Sequence, residues 1–192
     1  MGKELHTDRL VLRRFQEKDR EPFAAMNADP FVMRYFPATL THSQSDDTLL
    51  RIANKWDETG ISYWAVTLKS TGELIGTVGI NFTDYQVMGE YVYEIGWRIA
   101  SAFHRQGYAT EAASEVLRVG FEVSQLQRVV SFTVLENTPS QAVMKKLGMR
   151  DTQFQFFHPS IAASHPLSEH CLYEITSQMW YKLHHPPDEV NE

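Results

Sequence analysis

The stretch Tyr91-Val-Tyr-Glu-Ile-Gly-Trp-Arg-Ile99, Ala100-Ser-Ala-Phe-His-Arg-Gln-Gly107, Tyr108-Ala-Thr-Glu-Ala112 decides the architecture. Successive side chains of a strand point to opposite faces, so Tyr91, Tyr93, Ile95, Trp97 and Ile99 share one face and Val92, Glu94, Gly96 and Arg98 the other. A glycine at 96 leaves room for something to approach the backbone between two ionisable neighbours. Beyond the turn, Ala109, Ala112, Ala113, Val116, Leu117, Gly120 and Phe121 recur at steps of three and four, which predicts an amphipathic helix. A helix start presents unpaired N–H groups and the positive end of a dipole, and Gly107 with small Ala109 lets a bulky anion reach them. Neither P-loop nor Rossmann glycine spacing is present, which excludes those nucleotide folds.

Upstream, Arg9 to Phe15 reads as a strand after a polar leader. Asp19 caps a helix that continues to Asp29-Pro30, and Phe31-Val-Met-Arg-Tyr-Phe-Pro37 is an aromatic stretch halted by proline. From Ser43, with Asp46 completing a variant capping box, Leu49, Ile52, Ala53 and Trp56 give a second helix that stops at Thr59-Gly60. Tyr63 to Leu68 and Leu74 to Phe82 flank a glycine turn as an antiparallel hairpin. Downstream, Arg128 to Val134 is a strand, and Thr138 caps a helix with Pro139 at its first position and Gly148 at its end. Met149 to Phe157 and Cys171 to Tyr181 read as closing strands around a polar loop, with an exposed tail from His184. The order β, α, α, β, β, β, α, β, α, β, β, without repeat or linker, predicts one mixed α+β domain over 1–181 and a flexible tail over 182–192.

Composition narrows the function. The chain has 192 residues, 43% of them apolar, and a formal charge of -6, which gives little support to a broad duplex-binding surface and suits a cationic small partner better. No apolar run reaches the ~18 residues of a membrane span, and the first residues lack the apolar stretch of a secretory signal, so a soluble cytoplasmic protein is expected. The lone Cys171 reads as a buried, inert thiol in a reducing compartment. The eight histidines lack metal-ligand spacing, so no catalytic metal is expected.

Several segments in fixed order carry a resemblance. They are Thr7-Asp-Arg-Leu-Val-Leu-Arg13, Arg34-Tyr-Phe-Pro37, Glu94-Ile-Gly-Trp97, Gln106-Gly-Tyr-Ala-Thr-Glu-Ala112, and Asn137-Thr-Pro-Ser140 leading into Lys146-Leu-Gly-Met149. Together they span Thr7 to Trp180, and the chain resembles the GNAT N-acetyltransferase superfamily, in particular its ribosomal-protein N-terminal acetyltransferase subgroup. The resemblance implies a twisted, mostly antiparallel sheet of about seven strands and about four helices, with two parallel central strands that splay apart. It further implies that acetyl-CoA lies in that splay, between the strand ending at Ile99 and the strand ending at Val134. Its pyrophosphate would sit on the amides of 104 to 109, the cofactor set being His104, Arg105, Gln106, Gly107, Tyr108, Ala109 and Thr110. His104 stands where the family pattern has Arg or Gln. Asn137 matches the asparagine that contacts the pantetheine arm, and Ser140 the position proposed to protonate the leaving thiolate.

Direct attack of an amine on a thioester requires a neutral amine, a polarised carbonyl and a proton for the leaving sulfur. Only on the order of 0.04% of a lysine side chain is neutral at pH 7, against roughly 14% of an α-amino group. Glu94 is the first candidate for the base, with His158, Glu169 and His170 in the late loop behind it; a structural pair with Arg98 is the alternative role for Glu94. Tyr35, Phe36 and Trp97 are candidate acceptor-lining residues beside Glu94. The expected activity is acetyl transfer from acetyl-CoA to a primary amine, a protein α-amino group or a small molecule, by a monomer or homodimer. The alternative is a CoA-thioester sensing module that has lost turnover.

Overall fold

The computed structural model describes residues 4–185. Eight strands form one sheet in the order β1-β2-β3-β4-β5-β6-β8-β7. They are β1 (Glu4–His6), β2 (Leu10–Arg13), β3 (Tyr63–Leu68), β4 (Leu74–Phe82), β5 (Tyr93–Ile99), β6 (Arg128–Val134), β7 (Arg150–Phe157) and β8 (Glu169–Thr176). The helices are α1 (Arg20–Ala28), α2 (His42–Thr59), α3 (Tyr108–Arg118), α4 (Thr138–Lys146) and α5 (Ser177–His184). Every strand pairing is antiparallel except β5 with β6, which are parallel and meet in register only at Glu94 and Val130. From that point towards their C-terminal ends the two strands diverge.

Two apolar clusters hold the sheet. The larger gathers Leu10, Leu12, Val66, Val78, Ile95 and Val129 with Ala112, Val116 and Leu117 of α3. Each fully buried leucine or isoleucine there contributes roughly 1.5–3 kcal/mol. The smaller cluster packs Val87, Val92, Val130 and Leu172 with Tyr85, Phe132, Phe154 and Phe156, on the side of β6 that carries Val130.

The helix–strand order expected for the middle of the chain is found, and the ends differ. A three-residue strand, too short to carry a period, pairs with β2, so there are eight strands rather than about seven. The closing strand expected to reach Tyr181 stops at Thr176, whose hydroxyl caps α5 by accepting from Met179 N at 3.3 Å. Trp180 is then buried against Phe121 with ring centroids 5.7 Å apart. The domain boundary expected after residue 181 therefore falls inside α5, a fifth helix. The rest of the expected tail, 186–192, lies outside the described residues.

Two caps also differ. Thr41, not Ser43, starts α2, with Gln44 rather than Asp46 completing the capping box. Asp19 stands at the α1 start, but its carboxylate is taken by the Arg13 guanidinium at 2.6 and 2.8 Å and by Gln16 N at 2.7 Å.

Candidate active site

At the C-terminal end of β5 the chain makes a short turn, passes Arg105 in the left-handed region (φ 60°), and enters α3 through Gly107 at φ 84°. These two left-handed residues fold the loop so that the amides of 105–110 donate to no group among the described residues, whereas Glu111 N is the first to bond, to Gly107 O at 3.0 Å. Six free donors at the start of a helix form an anion cradle. His104 stands outside it, contrary to expectation. Its N–H closes the preceding turn onto Ser101 O, and its Nε2 bonds the Ile99 carbonyl at 2.7 Å, so this residue ties the loop to the strand end. Ile99 is buried in the sheet, Gln106 turns its side chain back to Ala102 O, and the side chain of Arg105 is exposed.

The cradle has a brace that the sequence pattern did not single out. Arg9, before β2, bonds Gln106 O at 3.0 Å, pairs with Glu111 of α3 at 2.6 Å, and lies 4.3 Å from the centroid of the Tyr108 ring. Thr7 adds a hydroxyl bond to the same Glu111 carboxylate at 2.6 Å. Both residues stood in the motifs of the resemblance, but about a hundred positions separate them from their partners. Arg9→Ala is expected to raise the KM for acetyl-CoA about tenfold with little change in kcat, measured by thiol release. An unchanged KM would show that the loop holds its shape without the brace.

On the other side of the splay, β6 runs into α4. The N-cap of α4 is Asn137 rather than Thr138: its Oδ1 accepts from Ser140 N at 3.2 Å, while its Nδ2 donates to Thr133 Oγ1 at 2.8 Å and to Ser140 Oγ at 3.1 Å. Asn137 is thus buried and fully engaged. Because the Ser140 oxygen accepts from Asn137, the serine proton is left free to donate elsewhere. Cys171 donates to the Thr133 carbonyl at 3.4 Å, and burial pushes its thiol up, as suits an inert side chain.

Glu94 lies where β5 and β6 part. Its side chain is half-buried, without an ion-pair partner among the described residues, and burial pushes it up to about 8. The alternative pairing with Arg98 does not form, because four residues along a strand separate them by about 13 Å. Arg98 instead donates to Asn27 Oδ1 and lies 4.5 Å from the Phe36 ring centroid. Between them, Gly96 gives way to Tyr63: a Cβ at 96 would stand 2.5 Å from the Tyr63 hydroxyl oxygen. Tyr63 thus lies over the glycine, its hydroxyl well above the usual phenol range because of burial and the nearby Glu94 carboxylate.

A second group faces this site. Tyr85, whose hydroxyl is held high by burial and by Glu94, is 2.9 Å from His158 Nε2. His158 Nδ1 accepts from Ser160 N at 3.2 Å, so a neutral His158 carries its proton on Nε2 and donates it to Tyr85. Tyr85 therefore keeps its own O–H as a donor. Burial and the neighbouring His170, 5.2 Å away between centroids, bring His158 down to about 4. His170 is also lowered by burial, and its Nδ1 is bound to Ser168 O. His158, just past β7, and His170, which belongs to β8 rather than to the expected loop, are thus neutral framework.

The remaining candidates separate. Phe36 reaches the site through Arg98, whereas Tyr35 stacks with Arg34. Trp97 is on the opposite face of β5 from Glu94, packed against the main core. Glu169 pairs with Phe157 in the β7–β8 ladder. Among the described residues no three His, Cys, Asp or Glu side chains group as a metal site, and no helix is long and apolar enough to cross a membrane.

Comparison with known proteins agrees with this geometry. The Acetyltransferase (GNAT) domain family matches residues 9–150. The uncharacterized N-acetyltransferase YnaD of Bacillus subtilis (strain 168) is 33% identical over 174 residues, which are 91% of this chain and 97% of YnaD. The crystal structure of a GNAT-family acetyltransferase from Bacillus anthracis superimposes with a TM-score of 0.73 at 28% identity, covering 91% of this chain and 99% of the other. The fold is shared as well by Mycobacterium smegmatis RimJ in complex with CoA-disulfide, with a TM-score of 0.72 at 21% identity over 93% and 84% of the two chains. The GNAT family uses acetyl-CoA, and the six free amides, the splayed parallel pair and the Asn137–Ser140 corner fit that donor. The chain therefore belongs to the GNAT acetyltransferase family and is an acetyltransferase.

Proposed function

We propose that the protein transfers an acetyl group from acetyl-CoA directly to a primary amine, with the α-amino group of a peptide or protein as the acceptor. The observation that carries this reading is the isolated Glu94 carboxyl at the point where β5 and β6 part, raised to about 8. An α-ammonium titrates near ~7.8, so the neutral amine and the ionised Glu94 that receives the proton shed on attack are present together near pH ~8 at almost no cost, whereas neutralising a lysine side chain near ~10.4 would demand about 3.5 kcal/mol more.

When bound, acetyl-CoA supplies the acyl group as a thioester. The amides of 105–110 hold its diphosphate, and Asn137 orients the helix start beside its arm. Glu94 takes the proton that the attacking nitrogen sheds. The Ser140 hydroxyl, its oxygen already occupied by Asn137 Nδ2, gives its proton to the departing sulfur and recovers one from water, while Glu94 releases to water the proton it took, so that amine and thioester leave as amide and thiol. Tyr85, kept as a donor by His158, offers its O–H to an oxygen at the acceptor end of the site.

Thiol release measured with a panel of N-terminal peptides, lysine-type amines and small amines tests the reading. Peptides with a free α-amine are expected to turn over fastest, and equal or better turnover of lysine-type amines would overturn the α-amine assignment. Ser140→Ala is expected to lower kcat about ten- to a hundredfold while the Kd for acetyl-CoA stays within a factor of two. Unaltered kcat would remove Ser140 from the chemistry.

A further inference from the structure

In this acidic chain, seven arginines lie within 4.0 Å of a carboxylate among the described residues. Arg98 has no such partner among the described residues. Its contacts are Asn27 and the Phe36 ring, and its Nε–H is buried without an acceptor. Arg51, on α2, also lacks a carboxylate among the described residues, where its side chain donates to Thr48 Oγ1 at 2.8 Å. Both arginines line one open cleft of about 360 Å³, with Met33, Phe36, Leu40 and Gln44 among its other walls and no acidic side chain in it. A guanidinium withdrawn from water without counter-charge is costly, and burial lowers Arg98 from its ordinary value. Two guanidinium side chains lining one cleft match a carboxylate, which accepts N–H donors in pairs.

The cleft stands in a fixed relation to Glu94. Arg98 and Glu94 share one face of β5, about 13 Å apart along the strand, with Gly96 and the Tyr63 hydroxyl between them. One end of the face therefore accepts a proton from an amine, and the other lacks an anion.

We propose that the acceptor is a peptide that lays its amino terminus at Glu94 and presents a carboxylate, at about its fourth residue, to Arg98 and Arg51. This rests on Glu94 as the base for the amine. A free α-amino acid holds its amine and carboxylate within about one residue length, ~3.5 Å, and cannot reach both ends. An extended peptide of four residues can. The carboxylate comes either from an acidic side chain or from the carboxyl terminus of a short peptide, and the two sources share one chemistry.

Steady-state acetylation of four peptides tests the proposal. Ala-Ala-Ala-Glu-Ala-amide is compared with its Gln counterpart, and Ala-Ala-Ala-Ala with a free carboxyl terminus is compared with its amide. In the wild type, the KM of the charged member of at least one pair is expected to be about tenfold lower than that of its neutral member, and the pair that shows it names the source. Arg98→Gln should bring the ratio to about one, and Arg51→Gln should reduce it. Thermal melting checks that Arg98→Gln keeps α1 docked through Asn27; if it does not, Arg51→Gln, altered only at an exposed position, decides. Equal KM values within both pairs in the wild type overturn the proposal and leave the amine reading intact, as does a ratio that survives both substitutions. Failure of every peptide, neutral ones included, overturns the amine reading itself and the proposal with it.

Discussion

Glu94→Gln is expected to lower kcat/KM by about 10²- to 10⁴-fold while acetyl-CoA binds as before, since the amide cannot accept a proton and the cradle is at the other end of β5. The pH profile gives the second readout. In the wild type the carboxylate must be ionised, and the α-amine neutral, as the nitrogen attacks. Log kcat/KM then climbs with a limiting slope of two below about pH 7, one titration belonging to Glu94 near 8 and one to the amine near ~7.8. In the variant only the amine titrates and the slope falls to one. A wild-type slope of one, or a rate in the variant within threefold of wild type, would move the base elsewhere.

The same substitution has an opposite effect on stability. An unfolded glutamate titrates near its ordinary value, and in the folded chain burial raises it to about 8. Between those values the native state binds the extra proton, so the stabilisation is complete below the unfolded pKa and is lost as pH rises to about 8. Above that, the wild type holds an unpaired half-buried carboxylate at a cost on the order of a few kcal/mol. Glu94→Gln should therefore melt close to the wild type at pH 5 and clearly above it at pH 9. Gain of stability with loss of turnover in one variant separates a reacting group from a structural one.

Gly107→Asp is expected to weaken acetyl-CoA binding at least a hundredfold, close to 3 kcal/mol, read by titration calorimetry. Three effects combine. The residue sits at φ 84°, where an L side chain is strained by roughly 1–2 kcal/mol. Its new Cβ would stand 3.4 Å from an Arg9 Nη, so the carboxylate competes with Glu111 for the brace. The added negative charge lies among the amides proposed to receive a diphosphate. Gly107→Ala introduces the strain without the charge and should cost about tenfold. Normal binding by the aspartate variant would place the anion site away from this loop.

Much of this site was readable in advance because it is local. A period of two in residues 91–99, a step of three and four from Ala109 onward and a glycine at their junction define strand, helix and cradle, since each signal is completed within a few residues of itself. Asn137 and Ser140 were picked out by the family resemblance rather than by local signals, which pointed to Thr138 as the cap, and the folded structure makes Asn137 the cap, with an amide that leaves the serine proton free. The amphipathic faces of β5 likewise put Glu94 and Arg98 on one side and Trp97 on the other.

The rest depends on groups brought together from far along the chain. Arg9 meets the loop at 106, Tyr63 crosses onto Gly96, Asn27 takes Arg98, and His158 fixes the proton of Tyr85. None of these pairs leaves a periodic trace, because each is set by which strands lie side by side and by what the neighbours bury. The ionisation of Glu94 is of the same kind. Its residue type and its face were fixed by the order of amino acids, but its proton affinity arises from burial, which exists only once the sheet is assembled.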